Sequence, residues 1–369
     1  MSKRFGNVAA VMGLTVSLFA SACGNAEVAE DLSADQLEQE SKGSTQLYDD
    51  FRSGFSATSP TSKWSYFTFG PAFTGDDGIE STSSQGLRVV SKGVNPSTGQ
   101  PSFTSTVVQE TSQSSVGLPG GVDHVKWLVY STNVSSKGYP GFDATTSRQV
   151  GCEAWVGGNT YGTSGHPFGN AVSNPGDDLR LASFALNSID VETFMVFDFF
   201  MTNEGIYAFY ERLPFGRGEV LGDYAAFSFA KRVADNCPGE LHKLGISYDK
   251  ASNTVRWEVD GREVQRVSRV GLPIDRSNMV LDHGGTPTEV SLNQLNCGMG
   301  LFTLLDANTL HRGGLAKLSV APGFYYNPAQ GQPAPETFVD QNSVDGSRLF
   351  GQGAEISVKK YNITRKPRL

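Results

Sequence analysis

Positive charge, cysteine and long apolar runs are all scarce in this sequence. Lys and Arg number 30 against 38 Asp and Glu, the formal net charge is -8, and only 18% of the 369 residues are charged. No block of five or more Lys/Arg occurs, so the electrostatic footprint of a nucleic-acid binder is missing and nucleic acid is excluded as a partner. With four cysteines, no CxxC and no Cys/His pair at zinc-ligand spacing, a structural zinc site is excluded too. No segment keeps helical periodicity over three turns, and no repeat of propeller length is visible. What is abundant is glycine, 42 residues without a three-residue period, together with 23 phenylalanines and 38% hydrophobic residues. That composition is too apolar for a disordered chain and fits one large β-domain, or two modest ones, with many turns.

The first 22 residues read as an export signal. Lys3 and Arg4 form a basic start, Val8 to Phe19 are mostly apolar but too short to span a bilayer comfortably, and Ala20-Ser21-Ala22 supplies the small residues of a cleavage site. The run from Leu18 to Gly24 resembles a bacterial lipoprotein processing site, which implies lipidation at Cys23 and an outer-membrane or cell-surface location. Ordinary cleavage would instead give a secreted or periplasmic protein, and membrane contact is expected only through that lipid. Residues 23–45, rich in Glu, Gln, Ser and Asp, read as a flexible tether. Cys152, Cys237 and Cys297 remain for the body of an exported protein, enough for one disulfide and one leftover thiol.

From residue 46 to 369 the sequence reads as one domain. Gly86 to Ser91, Ser102 to Glu110, Val125 to Tyr130, Leu181 to Asp190, Thr193 to Met201, Ile206 to Leu213, Tyr224 to Val233, Lys243 to Tyr248 and Thr254 to Val259 are apolar or alternating runs separated by turn residues. Such a series predicts an all-β sandwich of two antiparallel sheets. Residues 321–353, rich in Pro, Gly, Gln and Asn, are expected as a long surface loop, and 354–364 as a final strand returning beside Leu47 to Phe51.

Tyr48-Asp49-Asp50-Phe51 with Trp64, and Leu241 to Asp249 followed by Val255 to Val264, resemble segments of the concanavalin A-like lectin/glucanase superfamily, including family-16 glycoside hydrolases. In that pattern a histidine, here His242, opens a strand and the next strand ends in an aromatic-x-x-Asp-Gly hairpin, here Trp257 to Gly261. The resemblance covers about a quarter of the chain and implies a concanavalin A-like jelly roll with a glycan-binding groove on its concave sheet; it specifies fold better than function. The stretch Asn187 to Pro214 also resembles an uncharacterised group of secreted bacterial proteins with this fold.

Polysaccharide or oligosaccharide is therefore the expected partner. Asp190 and Glu192 are the candidate catalytic pair for a glycoside hydrolase, although the family's third carboxylate has no counterpart at the family spacing. Read as one unbroken strand, 190, 192 and 198 share a face, with Asp198 too distant to join the pair. Asp198, Tyr207, Tyr210, Glu211 and Arg212 are expected around a sugar, joined by Trp155, whose neighbours are Gly and Asn, and by His166 and His283 in Gly-rich loops. No bound metal is identified, though calcium is chemically compatible with Asp76 and Asp77 or Asp177 and Asp178. His124, His242 and His311 lack the context of polysaccharide lyases of this fold. An enzyme acting on a small apolar molecule held between the phenylalanines is a further alternative.

Overall fold

The computed structural model describes residues 43–111, 119–309, 312–331 and 334–367. Cys23, the export signal and His311 lie outside these residues. Two antiparallel sheets dominate, as the alternation predicts. The eight-stranded sheet runs Arg262–Ser268, Thr254–Val259, His242–Asp249, Val150–Tyr161, Gly353–Arg365, Gly86–Ser91, Gly78–Ser83, with Ser44–Asp49 also pairing the 353–365 strand. The nine-stranded sheet runs Met279–Asp282, Phe227–Asp235, Gly205–Arg212, Met195–Met201, Ser183–Asp190, Gln294–Phe302, Val125–Ser131, Trp64–Tyr66, with Phe142–Asp143 beside the 294–302 strand. The chain is thus an all-β jelly-roll sandwich whose first described strand meets its last in register Thr45 to Thr364.

Alternation assigns every strand an inner and an outer face. Cys152, Ala154, Val156, Ile356, Val358 and Trp257 from one sheet pack on Phe184, Leu186, Phe197, Phe199, Trp127 and Met299 from the other, so side chains fill the interior. Cys152 and Cys297 close a disulfide across this core, with Cα atoms 5.6 Å apart. Cys237 is not a free thiol either, contrary to the expected leftover. The Asp260-Gly261 turn takes positive φ at both residues, 51° and 77°, as a two-residue hairpin requires. His242 Nδ1 meets Asp260 Oδ2 at 2.8 Å and the Lys243 amide donates to Asp260 Oδ1 at 2.8 Å, so the histidine of the fold pattern ties down that turn.

Two expectations fail for stated reasons. Ser102 to Glu110 is a strand only at Pro101–Ser102, because in its middle carboxylates rather than a neighbouring strand take the amides, while Phe103 and Glu110 donate to the backbone, at Gln352 and Leu318. Asp77 accepts from Thr104 and Ser105, and Asp123 accepts from Val107. Nor is 321–353 simply a surface loop. Phe324, Tyr325 and Phe338 are buried with Leu281, Leu304 and Ala307 over the outer face of the nine-stranded sheet, against Ala185, Phe200 and Phe209.

Candidate functional site on the nine-stranded sheet

That outer face is apolar at one end and acidic at the other. In the 195–201 strand, Met195, Phe197, Phe199 and Met201 point into the core, which turns Val196, Asp198 and Phe200 outward. Asp198 lies opposite Asn187 on one neighbour and Phe209 on the other. Glu211 stands two residues beyond Phe209 on the same face, so the two acids are diagonal cross-strand neighbours, a relation that sets Cα atoms about 7–8 Å apart.

Their surroundings differ. Asp198 is buried, its Oδ1 accepts from the Ser188 amide at 2.9 Å, and burial holds its carboxyl well above the usual range despite that bond and Asn187. Glu211 Oε1 accepts the Ser228 hydroxyl at 2.5 Å, and among the described residues Oε2 has no partner. Burial pushes Glu211 up to about 7; Ser228 and His124 favour the charged form and Asp306 opposes it. A carboxyl poised near neutrality with one oxygen uncommitted can accept a hydrogen bond or exchange a proton.

A second polar group adjoins the acids. His124 Nε2 meets Asp306 Oδ1 at 2.5 Å, and Asp306 Oδ2 accepts the Tyr325 hydroxyl at 2.7 Å. Burial works against the charge on both, yet their mutual attraction wins, raising His124 and lowering Asp306, so each favours the charged form of the other. Tyr130, in the same row as Asp198, is raised well above the ordinary phenol value, chiefly by burial. A cleft of about 530 Å³ opens nearby, lined by Phe215, Arg217, Asp223, His283, Phe324 and Tyr326 among others.

Of the residues singled out in the sequence, only Asp198, Glu211, Tyr207 and His283 come to this side of the sheet. Tyr207 lies at the packed end, its hydroxyl donating to the Asp177 carbonyl at 3.3 Å. Asp190 and Glu192 do not share a face of one strand with Asp198, because 191–194 is a turn and 195–201 returns antiparallel. Asp190 is fully buried at the hairpin end and accepts from Thr193, Gln294 and the Glu192 amide. Glu192 accepts from Asn293 and Gln294. Tyr210 and Arg212 face inward: Tyr210 hydrogen-bonds Leu272 and Gly271, and Arg212 covers the Tyr224 ring at 3.9 Å while donating to Thr288. Trp155 lies on the outer face of the other sheet, paired with Lys243 and Lys359. His166 sits in its loop, accepting from the Phe168 amide at 3.2 Å.

The acids considered for calcium are engaged by protein donors or cations. Asp77 holds Thr104 and Ser105, Asp177 and Asp178 pair with Arg232 and Arg180, and Asp76 lies 3.9 Å from Lys92. Among the described residues no group of three or more His, Cys, Asp or Glu is arranged to hold a metal, and no helix is long and apolar enough to cross a membrane. Sequence reasoning missed His124, Asp306, Tyr130 and Tyr325. The available signal was Asp306 itself, one acid inside the apolar run Leu304-Leu305-Asp306-Ala307.

Comparison with known proteins places the chain in a family. The pattern of a family of unknown function (DUF6081) matches residues 48–367, and the chain belongs to that family. An uncharacterized protein of Acanthamoeba polyphaga mimivirus is 29% identical over 382 aligned positions, covering 79% of this chain and 83% of the relative. Similar solved structures include the kappa-carrageenase of Pseudoalteromonas carrageenovora in complex with an oligotetrasaccharide of kappa-carrageenan, at 12% identity, TM-score 0.38, and 88% and 96% coverage of the two chains. The Bacillus licheniformis β-glucanase follows at 8% identity, TM-score 0.37, and 88% and 98% coverage. A Crh5 transglycosylase in complex with NAG has 10% identity, TM-score 0.38, and 89% and 85% coverage.

Proposed function

We propose that this DUF6081 protein recognises a glycan on the outer face of its nine-stranded sheet, with Glu211 as the central polar contact. The uncommitted Glu211 oxygen carries the reading: a carboxylate acceptor on a face that also presents Tyr130 suits the hydroxyls and the flat apolar side of a pyranose. Recognition ranks ahead of hydrolysis because cleavage by two carboxyl groups needs both of them open to the bond being broken, and Asp198 is buried with its Oδ1 taken by the Ser188 amide. The cross-sheet disulfide supports export, and residues 1–43 would serve as address and tether, two residues shorter than expected because Ser44 and Thr45 already pair with the last strand, with Cys23 the proposed lipidation site.

Glycan arrays probed at pH 5 and pH 8, with and without calcium, test this. Glu211 ionises near 7, so binding is expected to be tighter at pH 8, and Glu211→Gln should weaken it about tenfold there and flatten the pH dependence. Absence of binding to every glycan sinks the reading. The enzyme reading is favoured by one observation, the poise of Glu211 near neutrality, which suits a proton donor. Release of new reducing ends from a bound polysaccharide, lost in Glu211→Gln, would promote it.

A further inference from the structure

In the cleft beside the acids, His283 Nε2 has no partner among the described residues. His283 sits in the turn Asp282-His283-Gly284-Gly285, which the surrounding chain fixes from several sides. Arg217 donates to the carbonyls of Tyr224 and His283 at 2.9 Å each, and also to that of Gly284. Asp282 Oδ1 accepts the Gly284 amide at 2.8 Å, while Asp282 Oδ2 accepts Arg276 at 2.6 Å. Gly285 has φ 96°, and a Cβ there would stand 2.2 Å from the Tyr224 carbonyl oxygen, so only glycine permits this path.

The turn sets the histidine's tautomer. His283 Nδ1 lies 2.6 Å from the Phe324 carbonyl oxygen, which can only accept, so Nδ1 carries the proton. The residue is 6% exposed, lines the cleft, and among the described residues has no protein partner at Nε2. A neutral imidazole therefore presents a lone pair to the cavity. The rest of the lining carries more acceptors than donors: Asp223 and Glu110 are carboxylates, while the one guanidinium, Arg217, is directed at three backbone carbonyls and lies 3.5 Å from Asp223, and Glu110 Oε2 accepts the Gly120 amide at 3.3 Å. Phe215, Phe324 and Tyr326 supply apolar walls.

We propose that this cleft is a sugar subsite in which His283 Nε2 accepts a hydrogen bond from a ligand hydroxyl, and that its acceptor-rich lining selects neutral sugars over uronates and sulfated sugars. The proposal rests on the glycan reading and extends it from the acids to a second position. The hydroxyls of a neutral sugar can donate to these acceptors one by one, whereas a carboxylate or sulfate would face two carboxylates and a lone pair against a single guanidinium already engaged by three carbonyls and Asp223.

Calorimetry on the full chain tests it with two sets of probes: hexasaccharides of glucose, mannose, galactose and xylose, and hexamers of glucuronate, galacturonate and mannuronate together with a sulfated galactan hexamer. At least one neutral hexamer is expected to bind, each anionic one at least tenfold more weakly. His283→Ala should weaken the neutral ligand about tenfold, and His283→Gln, whose side-chain oxygen can accept near the Nε2 position, should recover most of that loss. Thermal melts of both variants confirm that they fold. Neutral binding unchanged by His283→Ala, or anionic hexamers bound as tightly as neutral ones, overturns the subsite and leaves the glycan reading standing. Absence of binding by every probe overturns both.

Discussion

Two pairs of carboxyl groups, Asp190 with Glu192 and Asp198 with Glu211, lie within three adjacent strand segments and have opposite fates. The first pair closes a hairpin: Asp190 is fully buried, and Thr193, Gln294, Asn293 and a backbone amide supply hydrogen bonds to the two acids. The second pair stands on the outer face with fewer donors, Asp198 held by the Ser188 amide and Asn187, Glu211 by one hydroxyl and with one oxygen uncommitted. Carboxylates spent on protein donors build the fold, and in the proposed function an oxygen left without a donor serves the ligand. Sequence position alone does not separate the two cases; the face of the sheet does, Asp190 ending its strand on the inner side and Asp198 and Glu211 standing on the outer one.

The largest effect that could break this contrast is at Asp190. Asp190→Ala empties a fully buried position, removes the acceptor of the Thr193 hydroxyl and leaves the buried Gln294 amide only Glu192, a loss of about 3 kcal/mol. Calorimetry should show the melting temperature falling by roughly 4–5 °C. Ligand binding by the protein that remains folded at low temperature should be intact. A variant that melts normally but loses its glycan would reverse the assignments of the two pairs.

Glu211 should behave in the opposite way. Its folded value of about 7 lies above the ordinary 4.5, so the unfolded carboxyl gives up its proton first as pH rises. The stability this contributes is complete below 4.5 and is lost as pH climbs through 7. Glutamine cannot ionise, so Glu211→Gln is expected to be more stable than the parent at pH 8 by about 1–2 kcal/mol, discounted for the lost attraction to His124, and indistinguishable from it near pH 4. Urea unfolding at the two pH values measures this. A variant less stable at pH 8 would mean that Glu211 is as structurally committed as Asp190.

Alternation made the strands and their faces readable from the sequence: MVFDFFM and GIYAFYER declare which side chains share a side, and Asp-Gly declares its hairpin. The turn at 191–194 was harder to see because Val191-Glu192-Thr193-Phe194 contains no Gly, Pro, Asn or Asp; the chain turns there with Phe194 at φ 60°. Treating 190 to 198 as continuous therefore grouped Asp190 with Asp198 on one face. The His124–Asp306 pair spans a sequence separation of 182, and no local pattern encodes it. The cover over the outer face was hidden by composition, since Phe324, Tyr325 and Phe338 lie among the Pro and Gly residues that suggested a surface loop.

The finest test of the contrast removes one hydroxyl from each pair. Ser228 donates to Glu211 and favours its charged form, as Thr193 does for Asp190, so Ser228→Ala and Thr193→Ala should each raise the carboxyl concerned. Each should cost less than about 1 kcal/mol in stability where water can replace the hydroxyl, and more where it cannot. At Glu211 the accessible oxygen lets water and ligand compensate, so carboxyl NMR should show the titration moving upward and glycan binding shifting to higher pH with it. At Asp190, sealed from solvent, the same change should register in the melting temperature and leave the pH profile of binding where it was. If binding follows Thr193 rather than Ser228, the uncommitted oxygen of Glu211 is not what the ligand uses.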